Sequence, residues 1–512
     1  MSAHYKERVA LIEAGSPGLN IYSHVAMGRG IALLATVLYD AGYESRAFIE
    51  DISGKGSIDW SWVRGADVVG FSALTCTMPR TRELIERARI ENPAATILLG
   101  GPESTCNPRR SFEAGADLVL KGEAEFSLPR LLDVLAGRSS EGFADVPGLV
   151  WREEGILREG PAPRQLTREE LDTLPLVDRS LIHEVDSGSV ASVWRARGCP
   201  SRCDFCEVCE IWPRYGARNP EHTVDELVAA QEAGYSTAFL IDDNAAANKP
   251  AFKDLLRAAT KRGFAQMLVT QIRADSVFTK DGRLDRELLR LLKRAASVTV
   301  VCIGVESADD ADLELLNKGI DSSRMAKALK AMRRYGLLVH GMFIALAEDT
   351  HEVVRRNGEY ARKYVTSLQY LFETPLPGTK RTHQHESNGT LLFKELDDLS
   401  LYDGMHVVVR PEKMAPREMQ ELVLKAYRKF YSIPRIVRSA LGGTFLRFRR
   451  LSNAQRAYLA KLNVRRRIRM WMRFHVVYKY APVSFLAIGR QRVRAFLRDP
   501  EYAAYNSRLH GL

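Results

Sequence analysis

Arg197-Gly198-Cys199-Pro200-Ser201-Arg202-Cys203-Asp204-Phe205-Cys206 is the stretch on which the reading of this chain turns. Its three cysteines are separated by three and then two residues. At that spacing one loop can wrap a metal centre and present three thiolates to it. Were the centre a cubane iron–sulfur cluster, its fourth iron would lack a protein ligand. Incomplete ligation is what catalytic metal sites need, whereas structural and electron-transfer sites are usually closed. Two plainer readings share these residues: a zinc knuckle with Cys209 as fourth ligand, and a disulfide pair. The spacing favours the open cluster without deciding it.

Composition bounds the rest. A chain of 512 residues exceeds one ordinary core, so two or three domains are expected. The 46% hydrophobic content is that of a soluble globular protein. No apolar run approaches a membrane span and no apolar signal core follows Met1, so a cytoplasmic location is expected. Seven cysteines, four of them within Cys199–Cys209, argue for metal chemistry in a reducing compartment over a disulfide frame. The net charge of +11 belongs to the tail: Tyr431 to Leu512 carries eighteen Lys and Arg against two Asp and Glu. There is no low-complexity tract and no repeat of solenoid period.

Working outward from the cysteines, Val190–Trp194 is a β-type run that leads straight into them. The loop would then sit at the carboxyl end of the first strand of a barrel, where barrel enzymes place their chemistry. Further strands are expected at Ala238–Asn244, Met267–Ile272, Val298–Val305, Leu337–Ala345 and Leu368–Phe372. A helix is expected over Thr223–Ala233, with Thr223 as N-cap and Glu226 three residues later. Upstream, strands at Arg8–Ala14, Glu44–Glu50, Asp67–Ser72, Thr96–Leu99 and Asp117–Leu120 alternate with helices at Gly28–Gly42 and Arg80–Glu91. That alternation predicts an α/β, doubly wound parallel sheet. Ligands of such sheets bind at the carboxyl ends of the strands, here the loops Ser72–Thr75, Gly100–Thr105 and Gly122–Glu125. Gly100 and Gly101 allow positive φ and close backbone approach to a large ligand, although a bare turn would use them too.

The cysteine loop, with aromatic Phe205 before its third cysteine, resembles that of the radical S-adenosylmethionine (SAM) superfamily. VGFSALT, ILLGGPEST and GADLVLKGEAE resemble the Rossmann-like cobalamin-binding domain that precedes many radical SAM domains. Leu174–Arg179, the Leu316-Asn317-Lys318-Gly319 turn and Thr374-Pro375-Leu376-Pro377-Gly378-Thr379 match the same group. The resemblance implies four segments: a cobalamin-binding-like domain (1–137), a linker (138–189), a partial (βα)6 radical SAM barrel (190–386) and a mainly helical C-terminal region with a basic tail (387–512). It implies a [4Fe–4S] cluster on Cys199, Cys203 and Cys206, whose open iron chelates SAM. It also implies SAM contacts at Asp242, Asp243, Asn244, Arg273, Glu306 and Ser307, although Arg273 suits a structural ion pair nearly as well. Cobalamin contacts are implied at Ser72, Leu74, Thr75, Gly100, Gly101, Glu103, Ser104, Gly122 and Glu123.

Two departures stand out. Around His24 the chain reads YSHVAM, without the Asp-x-His-x-x-Gly that supplies a cobalt-coordinating histidine, so no such ligand is expected there. Leu346-Ala347-Glu348-Asp349-Thr350 replaces a Gly-x-Pro-Gly common in relatives, which bears on loop shape and substrate fit. Cys302 is expected in the core and Cys209 as a spare thiol. His406, Tyr402 and Met414 are expected in ordinary packing.

The activity implied is methylation of an unactivated carbon of a small-molecule or lipid substrate. An adenosyl radical abstracts hydrogen, methylcobalamin supplies the methyl group, and an external donor such as flavodoxin or ferredoxin supplies electrons. Two alternatives stand beside it: radical cyclisation, oxidation or C–C coupling on a lipid or tetrapyrrole without methyl transfer, and a non-catalytic cobalamin sensor. No side chain is singled out as acid, base or nucleophile. The Val464–Phe474 run (VRRRIRMWMRF), five arginines among apolar residues, suits peripheral membrane contact or a solvated basic face; nucleic acid is not expected.

Overall fold

The computed structural model describes residues 6–18, 29–185, 190–441, 453–464, 468 and 481–511. Two sheets organise them. The first has seven strands: β1 (Arg8–Glu13), β2 (Glu44–Ile49), β3 (Val68–Ser72), β4 (Thr96–Gly100), β5 (Leu118–Leu120), β6 (Leu149–Glu153) and β7 (Ile156–Glu159). Their order is β2-β1-β3-β4-β5-β6-β7, parallel through β5 and antiparallel at β5–β6 and β6–β7. Fully buried runs such as Val9–Ile12 explain why the strands read as apolar blocks: helices cover both faces. The hairpin β6–β7 falls within the expected linker and extends this sheet.

The second sheet is all parallel: β8 (Val190–Val193), β11 (Thr237–Leu240), β12 (Met267–Gln271), β13 (Val298–Glu306), β14 (Leu338–Ala345) and β15 (Ser367–Phe372), in chain order from one edge to the other. It is the open six-stranded barrel that the resemblance implies, built on the six expected strands. Between β8 and β11 a short antiparallel ribbon, β9 (Ala196–Arg197) with β10 (Gly216–Ala217), closes the neck of the cysteine loop. The next helix is Pro220–Glu232, capped by Asn219, whose side chain accepts from Glu221 N. Thr223 lies buried inside it, which corrects the expected cap. Proline at the first helical position, needing no amide partner, fixes the earlier start.

The open edge at β15 is closed by side chains. Tyr427 and Tyr431 lie one turn apart around the end of helix Pro416–Phe430. Their hydroxyls bond to both N and O of Tyr370 and of Leu368, at 2.7–3.0 Å. One helical turn nearly matches two strand residues in length, so the pair completes two steps of the ladder that no strand supplies. His406, Tyr402 and Met414 are packed as expected: His406 bonds Asp403 Oδ1 at 2.9 Å edge-on to Tyr505, Tyr402 donates to Phe393 O at 2.6 Å, and Met414 borders the barrel core. Cys302 is buried in β13. No helix among the described residues is long and apolar enough to cross a membrane. His24 and most of Val464–Phe474 lie outside the described residues.

Candidate active site

The carboxyl ends of both sheets face one cavity of about 440 Å³. The first sheet contributes Gly70, Ser72, Leu74, Gly100, Gly101, Gly122 and Glu123; the second contributes Trp194, Ile241 and Asp243, with Arg197 from the β9–β10 ribbon and Ile211 and Trp212 from the cysteine loop. The glycines keep the floor low. Gly101 has φ +93°, and a Cβ there would lie 2.7 Å from Ser72 Oγ and 2.9 Å from Ala73 N. A Cβ on Gly70 would meet Leu11 at 2.9 Å. Glu13, at the end of β1, also faces the cavity, and burial with Asp51 nearby pushes its carboxyl up to about 8.

Of the residues expected here, Ser72, Leu74, Gly100, Gly101, Gly122 and Glu123 line the cavity. Thr75, Glu103 and Ser104 turn into a buried network beneath it. Thr75 Oγ1 donates to Glu103 at 2.5 Å, Arg110 pairs with Glu103, and Ser111 donates to Ser104 at 2.9 Å. They brace the loop. Glu123 is engaged from both sides, accepting from Arg197 Nη1 at 2.6 Å and from Leu166 N at 2.5 Å. Burial outweighs Arg197 and raises its carboxyl above the usual range.

The cysteine loop hangs from the β9–β10 ribbon. Gly198, at φ +79°, begins it, and Cys206 N donates to Cys203 O at 3.1 Å. Asn244 Nδ2 approaches Cys199 Sγ at 3.9 Å and Arg273 Nη1 approaches Cys203 Sγ at 3.6 Å. Burial raises the Cys203 thiol, against the pull of Lys318 and Arg273, and pushes Cys206 up to about 12. The Cys209 thiol donates to Ser201 O at 3.2 Å and lies 3.6 Å from Cys199 O, so it ties the turn together. Among the described residues no three His, Cys, Asp or Glu side chains converge on a single-ion position. A cubane does not require this, because each thiolate meets a different iron.

The strand ends around this loop carry the other expected residues. Asp242 is fully buried and accepts from Arg195 N at 2.6 Å and Ala196 N at 3.0 Å, stapling β11 to the β8–β9 turn. Asp243 accepts from Gly198 N at 3.1 Å, and burial lifts its carboxyl to about 6. Glu306 sits at φ +61°, where the β13–β14 register shifts, and pairs with Lys318 Nζ at 2.6 Å. A Cβ on Gly304 would collide with both partners, so glycine makes room for the pair. Ser307 is drawn away into bonds with Asp312 and Asn357. Arg273 also pairs with Asp275 at 3.2 Å and donates to Lys318 O. Asn244, Arg273, Glu306 and Asp243 thus surround the loop, whereas Asp242 and Ser307 are structural here. Lys318, Arg197 and Trp212 were not anticipated.

Comparison with known proteins decides the family. Residues 195–361 match the model of the radical SAM superfamily and residues 23–132 that of the B12 binding domain. The chain belongs to the cobalamin-binding radical SAM enzymes. It is 26% identical over 385 residues to an uncharacterized methyltransferase of Pyrococcus horikoshii, covering 72% of this chain and 80% of that one. It is 25% identical over 448 residues to the anaerobic magnesium-protoporphyrin IX monomethyl ester cyclase of Cereibacter sphaeroides, covering 84% and 71%. The fold is that of the radical SAM methyltransferase TsrM from Kitasatospora setae, solved with cobalamin and a [4Fe–4S] cluster. That match has TM-score 0.66 and 16% identity, covering 96% of this chain and 99% of that one.

As a radical SAM enzyme with a B12 binding domain, the chain uses a [4Fe–4S] cluster, SAM and cobalamin. Its residues fit them. Three thiols with charged and amide donors at two of the sulfurs suit an anionic thiolate set. The glycine-floored cavity suits a broad, flat ligand.

Proposed function

We propose that this radical SAM enzyme methylates a carbon of a small-molecule or lipid substrate, the reaction taking place in the cavity shared by the two sheets. The observation carrying this reading is that one cavity is bounded by the glycine loops of the first sheet and by the neck of the cysteine loop. Two reactive centres must be neighbours for a methyl group to reach a carbon from which hydrogen has just been taken. Cys199, Cys203 and Cys206 would hold the cluster, with Asn244 and Arg273 at their sulfurs. Glu306 and Asp243 would meet the polar parts of SAM. Gly70, Gly100, Gly101 and Gly122 would let the corrin ring lie against the backbone. When bound, the cluster with SAM supplies hydrogen abstraction, and cobalamin supplies the methyl group. Trp194, Ile211, Trp212 and Ile241 present an apolar wall on the barrel side. Such a wall excludes water, which matters where a carbon radical must survive. It also supports a reacting carbon in an apolar part of the substrate. An external one-electron donor, flavodoxin or ferredoxin, completes the system.

The cyclase relative supports a second reading, ring closure or oxidation of a tetrapyrrole or lipid by the same radical machinery. The test supplies holoenzyme, reductant and SAM bearing a deuterated methyl group with lipid and tetrapyrrole extracts. A product carrying the labelled methyl group, with 5′-deoxyadenosine and S-adenosylhomocysteine, supports methylation. A product that has lost hydrogen and gained no label, with 5′-deoxyadenosine alone, supports the second reading.

A further inference from the structure

No acidic residue stands between Glu421 and Asp499, a span holding twenty Lys and Arg. At the chain's own frequency, 63 Asp and Glu in 512 residues, roughly nine would fall there. A solvated basic face ordinarily mixes in acids for local pairing, so complete exclusion points to a large anionic surface.

The described part of this span holds two packed helices with exposed aliphatic and basic side chains suited to such a surface. Helix Ile433–Leu441 is fastened to the barrel by Arg435, which donates to Arg362 O at 2.7 Å and Val365 O at 3.1 Å. Ile436 packs into the core. One turn apart on the same helix, Ile433 and Val437 remain 55% and 47% exposed. The adjoining helix Ala481–Phe496 is seated by Gly489, where a Cβ would lie 2.2 Å from the Tyr431 ring, and by Arg490, which donates to Tyr431 O at 3.3 Å. Beside Gly489, Ile488 is 47% exposed. Arg438, Arg494 and Arg498 are exposed on the same two helices and the turn that follows them.

We propose that these two packed helices, through the exposed Ile433, Val437 and Ile488 and the arginines they carry, dock the enzyme on an anionic lipid bilayer. The charge selects for phosphate-bearing surfaces, and the aliphatic residues select among them. Branched aliphatic side chains gain by entering hydrocarbon, whereas single-stranded nucleic acid is held by stacking on aromatic rings. The contact is peripheral, since no described helix can cross a bilayer. The inference rests on the C-terminal region and stands or falls separately from the methylation reading.

The test is flotation of the full-length holoenzyme with vesicles of phosphatidylcholine alone and of phosphatidylcholine with phosphatidylglycerol, over a salt series. Expected is binding at least about tenfold tighter to the anionic vesicles, weakening as salt rises. The triple variant Ile433→Ser, Val437→Ser, Ile488→Ser should lose about tenfold, with iron content and thermal unfolding unchanged. Should that variant fail to fold, Val437→Ser alone gives the same readout on a smaller scale. Three results would overturn the proposal: no vesicle binding, serine variants that bind like the parent, or tighter binding to duplex DNA than to the anionic vesicles at equal salt.

Discussion

The two sheets face one cavity but fill their carboxyl edges in opposite ways. The first sheet ends mainly in glycines and short side chains, with Glu13 and Glu123 beside them, and its polar residues Thr75, Glu103 and Ser104 retreat beneath the surface. The barrel ends in charge held by charge: Glu306 with Lys318, Arg273 with Asp275, Arg195 with Asp242, and Glu373 with Arg381 and His385. A broad ligand bound through its face needs empty volume and close backbone. A small ligand bound through a metal and hydrogen bonds needs fixed polar groups. On the proposed assignment, the difference between the edges is a difference in how each would hold its cofactor.

The sharpest break comes at the cysteine loop. Cys203→Ala should leave the cluster without a third ligand and abolish reductive cleavage of SAM, with 5′-deoxyadenosine falling by at least about two orders of magnitude. Iron analysis and product chromatography check this. Cys203 itself does not line the glycine-floored cavity, so corrinoid content should stay near that of the parent. Parallel loss of corrinoid would show that the two edges do not bind independently.

Arg197 is where the edges touch. It begins the loop's neck, lies over the Trp194 ring at 4.5 Å, and pairs with both Glu123 and Glu125 from the far side of the cavity. All three side chains are largely shielded from solvent, so removing the cation strands two carboxylates. Arg197→Met should lower stability by about 3–5 kcal/mol in denaturant unfolding. Adding Glu123→Gln and Glu125→Gln should recover more than half of that loss. Additive losses would mean that the pairs are incidental contacts. Lysine should rescue only in part, because it cannot reach two carboxylates as a fork.

Gly101 tests the empty edge. Valine there must adopt φ near +93° and push against Ser72 and Ala73. Gly101→Val should reduce bound corrinoid by about tenfold while iron stays at the level of the parent. Equal loss of both would refute the separation of the two edges.

How much of this was legible in the sequence follows from the same contrast. Cysteine spacing is linear chemistry, so the loop could be singled out directly, although zinc and disulfide readings stayed open until the resemblance was weighed; apolar runs marked the strands of both sheets. Gly100 and Gly101 by themselves suited a bare turn as well as a ligand, and the glycine loops stood out only through the resemblance carried by the three segments together. Paired charges are another matter. Lys318 was visible only as part of a turn, since its partner Glu306 is reached by a backbone irregularity that strand periodicity does not encode. Arg197 finds Glu123 across 74 residues of chain. Asp242 and Ser307 occupy strand-end positions suited to a ligand, yet backbone amides claim the first, while Asp312 and Asn357 claim the second. Tyr427 and Tyr431 carried no mark of the open edge they cover. The cap Asn219 could have been found from Pro220 beside it.

Asp349 breaks the rule of paired charges at the barrel edge and gives the smallest, most specific test. It follows β14 in the Leu346–Thr350 segment and is 1% exposed, with neither carboxyl oxygen hydrogen-bonded. Burial first, then Asp312, Glu348 and Glu373, raises its carboxyl to about 8. In the unfolded chain the same group titrates near 4. Between these values the unfolded chain releases a proton that the folded chain keeps, so this residue makes stability fall as pH rises. Asparagine copies the neutral acid and removes that dependence. Asp349→Asn should match the parent near pH 4, and its melting temperature should exceed the parent's by about 2–4 °C near pH 8. A gap that stays constant from pH 4 to 8 would mean that Asp349 is ionised in the folded protein. The barrel edge would then hold a cationic partner for it, and the contrast between the two edges would have no exception.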